Sequence, residues 1–395
     1  MKQIRSFISD HNRLLTVFVL VLIGLAWLLL HRLGSLTGGL SLSEWQNAKR
    51  SYGWHGLYNQ PFYLPLTIIR SIVFVLFPRH GQSLTRLPNV LFGALTIVSF
   101  TWLVRLWHGT RTALFAGLLF TCSAWTLHVS RLASNDILYL WVAPTLLLAQ
   151  LAQQRRPKQA MVFYGSLALL GLLLYIPGLV WLVLLSIFWQ RSTIKQGWQY
   201  FDLWWQRSLY VLTGIIWLPL LLINLTRAGN IKTWLGLPQK FPSATLVIKH
   251  LIGVPVHLFV RGPQYPQLWL GRAPLLDVFT LVMSLLGIYF YATRWKAQRS
   301  RILGSFLIVG VILVGLGGPV SLSLLIPIIY FCVAIGITYF LHEWLQVFPR
   351  NPLARSLGIG LIALAIAISC LYNLRAYFVA WPNNPTTQTT FRYHR

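Results

Sequence analysis

The chain has 395 residues, 56% of them hydrophobic, 10% charged, and 18 of them Trp. Soluble domains carry about 25% charged residues, so the composition describes a polytopic helical membrane protein, in which length does not set domain number. The net charge of +27 comes from 33 Lys+Arg against six Asp+Glu, and the bases lie scattered between apolar runs, where they suit lipid phosphates and build no continuous face for nucleic acid.

Lys2, Arg5 and Arg13 precede an apolar run over residues 14–30. The run is too long for a signal-peptide core, and no small-residue cleavage site follows. It predicts a retained first span with the N-terminus inside. Residues 34–86 form a first outer loop. Its polar part holds Glu44, Lys49, Arg50, His55, Tyr58 and Asn59. Residues 62–77 are apolar but interrupted by Pro65 and Arg70, which predicts an interfacial helix on the outer surface. Counting this run as a span instead would reverse the orientation of everything after it.

Further spans are predicted at residues 87–106, 112–129 and 137–152. A short pair follows at 160–175 and 178–189, split by Ile176-Pro177. The rest lie at 208–225, 275–293, 302–316, 322–341 and 357–372. The basic turns at 155–158 and 294–301 fall inside on this map, as do residues 190–207 and 342–355. Residues 226–274 make a long outer loop, and residues 373–395 an outer tail. The expectation is therefore an all-α polytopic protein of about eleven transmembrane helices. It is one transmembrane domain over 1–395, with no separate soluble domain. Cys122, Cys332 and Cys370 each fall in an apolar run and read as small buried hydrophobes.

The six acids narrow where chemistry can sit. Asp10, Asp202 and Glu343 map inside; Glu44, Asp136 and Asp277 map outside. Asp277 begins a span near Arg272 and reads as a helix-start carboxylate. Glu44 and Asp136 occupy separate polar loops that open on one face, and they are the candidate catalytic pair. A solvated loop acid is the plain alternative for each. The stretch from His128 to Asp136, H-V-S-R-L-A-S-N-D, packs His128, Arg131 and Asp136 between two spans, where charges are costly unless used or paired. His128 and Arg131 share a helix face. Arg131 suits a phosphate leaving group or snorkels to a lipid phosphate, and a lone interfacial His is more often structural. Trp45, Tyr52, Trp54 and Tyr58 make an aromatic belt or a sugar platform. Gly358, Gly360 and the Gly-rich run 310–318 read as close helix packing. The sequence contains no Walker loop, Rossmann glycine pattern, Cys/His metal cluster or G-x-S-x-G.

These features resemble the GT-C glycosyltransferases. The branch is the family 39-like one that includes protein O-mannosyltransferases and bacterial lipid A aminoarabinose transferases. The elements are Ser43-Glu44 in the first outer loop, the stretch Tyr58-Asn59-Gln60-Pro61-Phe62-Tyr63, Thr85-Arg86-Leu87-Pro88, and His128-x-Ser130-Arg131-Leu132-Ala133-x-Asn135-Asp136. Members often carry Asp-Glu where this chain has Ser43-Glu44, and some carry a base where it has Gln60. The resemblance does not extend to the C-terminal soluble domains of the family, which are not expected among residues 1–395.

The resemblance implies transfer of a sugar from a polyprenyl-phosphate donor to an acceptor of unidentified kind, a glycan, lipid or protein. Glu44 is then the expected base. Arg131, with His128 and Arg86, is expected on the departing phosphate, and His55, Tyr58 and Asn59 on the substrate. Asp136 is expected to orient the acceptor, share base duty or hold a metal. A carboxylate pair is a weak metal signal, and neither metal nor cofactor is expected to be required. Single displacement inverts the anomeric centre. The expected location is a bacterial plasma membrane, with the site facing outside. The rivals are a non-enzymatic carrier or flippase for a lipid-linked or anionic substrate, and a polysaccharide polymerase or ligase.

Overall fold

A computed structural model describes residues 21–51, 62–77, 81–156, 158–200, 203–226, 230–263, 267 and 270–393. Helices dominate, and among the described residues the only extended pairing is one antiparallel bridge between Leu40 and Tyr393. Five helices are long and apolar enough to cross a bilayer: Gln82–His108, Asp136–Arg155, Gln298–Gly315, Leu322–Val347 and Pro352–Ala380. A sixth span arises if the bent pair Thr110–Cys122 and Ala124–Arg131 is counted as one. The chain is thus an integral membrane protein. Shorter apolar helices at Val21–Leu30, Leu64–Leu76, Ala160–Leu173, Val211–Leu222, Ala244–Phe259 and Val278–Thr293 fill in between them.

The helix ends obey local chemistry. Ser41 caps the Leu42–Arg50 helix in a full capping box: its side chain accepts the Glu44 N–H, and the Glu44 carboxylate accepts the Ser41 N–H. Asp277 caps Val278–Thr293 by accepting from Thr280 N, as a helix-start carboxylate should. The Leu64–Leu76 helix has 13 residues. At 1.5 Å per residue it reaches roughly 20 Å, short of the ~30 Å hydrocarbon core.

The centre of the bundle is Leu325–Val347, whose first thirteen residues are all buried. It packs most extensively on Val278–Thr293. Backbones approach closely there because Gly287 faces the Cys332 carbonyl and Gly336 faces the Met283 carbonyl, and a methyl group at either position would overlap that oxygen. Gly358 lies similarly tight against the Trp344 indole, whereas Gly360 faces open space.

Four features depart from the sequence expectations. The run over 112–129 is not one straight span but bends by 60° at Ser123. The break is held by a long-range donor and acceptor pair, since Asn373 Oδ1 accepts the Ala124 N–H at 3.1 Å. The segment expected as a long outer loop contains the Ala244–Phe259 helix, which packs on Gln298–Gly315. The helix beginning at Val180 runs on to Tyr200, past the expected end at residue 189. Finally, the expected outer tail folds back on the protein: Tyr377, Trp381 and Phe391 are buried, and Tyr393 bridges to Leu40.

Candidate functional site

The site is built where the segment after the Val21–Leu30 helix meets the turn before Asp136. Leu42–Arg50 brings Glu44 inward, and the Gln82–His108 helix brings Arg86. Both side chains are buried. Arg86 Nε donates to Glu44 Oε1 at 2.9 Å, and Nη2 donates to Oε2 at 3.0 Å. Arg86 also donates to the Leu33 and Gly39 carbonyls and to the Thr37 hydroxyl. The two remaining acceptor positions of Glu44 are filled by the Ser41 N–H and the Ala133 N–H, each at 2.9 Å. Burial alone would push this carboxyl up. The Arg86 guanidinium and the Ser41 and Ala133 N–H groups outweigh it and hold the carboxyl below its ordinary value.

The Ala133 contact ties the two loops together. Asn47 Nδ2 also donates to the Ala133 carbonyl. A second clamp comes from Arg70 on Leu64–Leu76. It donates to Asn135 Oδ1 at 3.0 Å, to the Ser134 carbonyl at 3.1 Å and to Asn89 Oδ1 at 3.2 Å. Asn89 in turn donates to the Ser134 carbonyl at 2.6 Å. Burial pulls Arg70 down to about 10, partly offset by the Glu44 charge, so it stays cationic at neutral pH. Arg70 and Asn89 were not among the residues singled out from sequence. An Arg inside a run of apolar residues was the available signal for the first; Asn89 offered none.

Asp136 opens the next helix, three residues beyond Ala133. At most ~3.5 Å per residue, its carboxyl and that of Glu44 lie within roughly 18 Å of each other. Asp136 is partly exposed, with the Ser134 and Ser321 hydroxyls as its side-chain partners. Desolvation pushes the neighbouring Tyr63 phenol up to about 12 against a hydrogen bond with Tyr139, and the Asp136 charge adds to the rise. Asp277 is occupied: its Oδ2 accepts from Ser369 and Asn373 at 2.7 and 2.8 Å. Glu343 is exposed near the far end of its helix.

His128 and Arg131 share the short Ala124–Arg131 helix and are both buried. Arg131 donates from Nη1 and Nη2 to the Leu28 and His31 carbonyls. Its guanidinium sits 5.3 Å from the Tyr377 ring and 4.9 Å from the Phe378 ring. His128 Nε2 lies 2.8 Å from the Gln267 carbonyl, and its ring stands edge-on to Trp381 at 4.6 Å. Buried polar atoms without a protein partner gather on this helix: Thr126 Oγ1, His128 Nδ1, Ser130 Oγ and Arg131 Nε. Buried polar groups are ordinarily satisfied, so the helix presents unused hydrogen-bonding capacity. His55, Tyr58 and Asn59 lie outside the described residues. The structure thus brings Glu44, Arg86 and the Asp136 turn together, with His128 and Arg131 one helix back. Arg86 is committed to Glu44, not to an open phosphate site.

Neither a family model nor a curated protein matches the chain. Solved structures do, over nearly its whole length. The chain has the fold of the GT-C membrane glycosyltransferases. Its structural neighbours include the aminoarabinose transferase ArnT from Cupriavidus metallidurans. The apo form aligns over 96% of this chain and 76% of its own, with TM-score 0.52 and 14% identity. The form bound to undecaprenyl phosphate aligns over 94% and 76%, with TM-score 0.55 and 15% identity. An oligosaccharyltransferase from Archaeoglobus fulgidus, tethered to an acceptor peptide, aligns over 97% of this chain and 56% of its own, with TM-score 0.54 and 13% identity. At these identities the likeness is one of fold.

Proposed function

We propose that the chain is a membrane glycosyltransferase that takes a sugar from a polyprenyl-phosphate donor to an acceptor on the outer face, inverting the anomeric centre. The observation that carries this reading is the joining of the two outer loops through Glu44, Arg86 and Ala133, which sets Asp136 at the edge of a rigid polar cluster. With Leu64–Leu76 too short to cross a bilayer and read as interfacial, the cluster it clamps would lie at headgroup level, where a lipid-linked phosphate lies. An ArnT neighbour that binds undecaprenyl phosphate shares the fold.

In this scheme Asp136, not Glu44, is the base. Glu44 has every acceptor position filled and is held ionised by Arg86. Asp136 is partly exposed, and among the described residues its side-chain partners are only the Ser134 and Ser321 hydroxyls, which leave it acceptor capacity for an incoming hydroxyl. It takes the proton of the acceptor hydroxyl, whose oxygen attacks the anomeric carbon. The bond from that carbon to the phosphate oxygen breaks, and the polyprenyl phosphate leaves with the electron pair. His128 and Arg131 provide donors and charge toward it. The displacement is metal-independent, so transfer persists in excess chelator; loss of transfer there overturns that part of the scheme.

The test follows radiolabelled sugar from a polyprenyl-phosphate donor in reconstituted vesicles. Asp136→Asn is expected to lower transfer by about 10²–10⁴-fold, the usual worth of a general base, with donor binding kept. Full activity of Asp136→Asn removes the base assignment. The bent span at Ser123 also suits a carrier, since broken helices line transport sites. Label that changes leaflet without joining any acceptor would establish the carrier instead.

A further inference from the structure

The Gln82–His108 and Asp136–Arg155 helices both leave the loop cluster and run to the opposite end of the bundle. About 20 residues, or ~30 Å of helix, separate Arg86 from Trp107, the thickness of a hydrocarbon core. At that far end a half-open cavity of about 520 Å³ lies between these helices, Val278–Thr293 and Gln298–Gly315. Leu147, Ile302 and Ile335 give it an apolar floor. Arg294 and Arg299 line it as exposed cations, and no Asp or Glu is among its lining residues.

The two guanidiniums are held in place by aromatic rings. Arg294 lies 4.0 Å from the Phe290 ring centre. Arg299 lies 5.7 Å from that of Trp107 and donates one N–H to the Trp107 carbonyl at 3.0 Å. Among the described residues this is the one hydrogen bond that its five donors make, so most of the fork remains for an oxyanion. The start of Gln298–Gly315 lines the same cavity and carries no side-chain cap. Its first N–H groups and its dipole add positive potential. A cationic rim over an apolar floor, at the end of a membrane bundle, matches a molecule that is a phosphate at one end and hydrocarbon at the other.

We propose that this cavity binds the headgroup phosphate of an anionic membrane phospholipid, on the membrane face opposite the loop cluster. Arg294 and Arg299 hold the phosphate, and the acyl chains leave over the apolar floor. The site is independent of the glycosyl-transfer reading, and its test uses lipid retention, not turnover.

The full-length protein is placed in nanodiscs of equal phosphatidylcholine and phosphatidylglycerol, and lipid retained on release is counted by native mass spectrometry. Wild type is expected to keep phosphatidylglycerol selectively. The double variant Arg294→Gln/Arg299→Gln is expected to retain it roughly 10- to 30-fold less, the combined worth of two bases at a lipid surface. Arg294→Lys/Arg299→Lys is expected to keep most of the selectivity. Equal retention by wild type and the glutamine variant overturns the proposal, as does equal retention of the zwitterionic lipid by wild type. Displacement of the lipid by excess inorganic phosphate assigns the site to free phosphate and also overturns it. Because the variants are at risk of misfolding, a headgroup-photoreactive phosphatidylglycerol is also crosslinked to wild type. Labelled peptides are expected to include residues 290–302, and labelling confined to other segments sinks the assignment.

Discussion

At the scale of single residues, the Glu44–Arg86 pair separates architecture from chemistry. Glu44→Gln leaves a buried guanidinium without its counter-charge, which costs about 3–5 kcal/mol. The expected result is a large loss of thermal stability in detergent. Asp136→Asn, at a partly exposed helix start, is expected to cost under about 1 kcal/mol. A Glu44→Gln protein as stable as wild type would refute the pillar role. The pH dependence follows from the same contacts. The folded-state carboxyl of Glu44 lies below its ordinary value. Its stabilisation is therefore present above about pH 4.3 and is lost as pH falls through the lower folded value. Thermal midpoints are expected to drop on acidification below that point in wild type, and more shallowly in Glu44→Gln. Part of this was legible in the sequence. Ser41-Leu42-Ser43-Glu44 has the S-x-x-E spacing of a capping box, a local signal that Glu44 has structural work. The spacing gave no hint of Arg86 or Ala133, which reach Glu44 from 42 and 89 residues away.

At the scale of elements, composition and hydropathy located most helices, because a bilayer demands long apolar runs. They failed where a long-range contact decides the local geometry. The bend at Ser123 rests on Asn373, 249 residues away from Ala124, and no local pattern reveals it. The Ala244–Phe259 helix escaped notice because Lys249, His250 and Pro255 interrupt its apolar run. Glycine patterns served better, within limits. Gly358 packs against Trp344 as expected, while Gly360 does not pack at all. The tightest pair, Gly287 and Gly336, was not singled out. Leu at either position must push the Val278–Thr293 and Leu325–Val347 helices apart. A loss of at least 1–3 kcal/mol is expected, the usual penalty of overpacking, read as a lower unfolding temperature. Gly360→Leu serves as the control, and an equal loss there would refute the packing argument.

At the scale of the whole molecule, the described chain closes on itself. The segment after residue 375 lies against Leu40, just ahead of the Leu42–Arg50 helix, and against the Ala124–Arg131 helix. Trp381 is the keystone, buried against His128, Tyr377 and Phe391. Trp381→Ala removes a large buried ring, at about 3–5 kcal/mol, and frees the His128 ring. Loss of stability together with weakened donor binding is expected. Unchanged donor binding in a folded Trp381→Ala protein would show that His128 does not depend on this wall. From sequence alone these residues predict a tail, because nothing in them is strongly apolar over a helical length. Their order comes from partners more than 200 residues upstream.

That closure also fixes an order of events during synthesis. Arg131 enters the membrane about 250 residues before Trp381 and its neighbours Tyr377 and Phe378 are made, a delay of roughly 12–50 s at ordinary ribosome speeds. Through that interval the guanidinium lacks the two rings that finally cover it, so an inserting chain carries an uncovered cation until the Pro352–Ala380 span arrives. Residence on insertion factors is therefore expected to be long for this protein. It should lengthen further in ribosome-stalled chains ending before residue 377, a dependence that site-specific crosslinking at position 131 would detect.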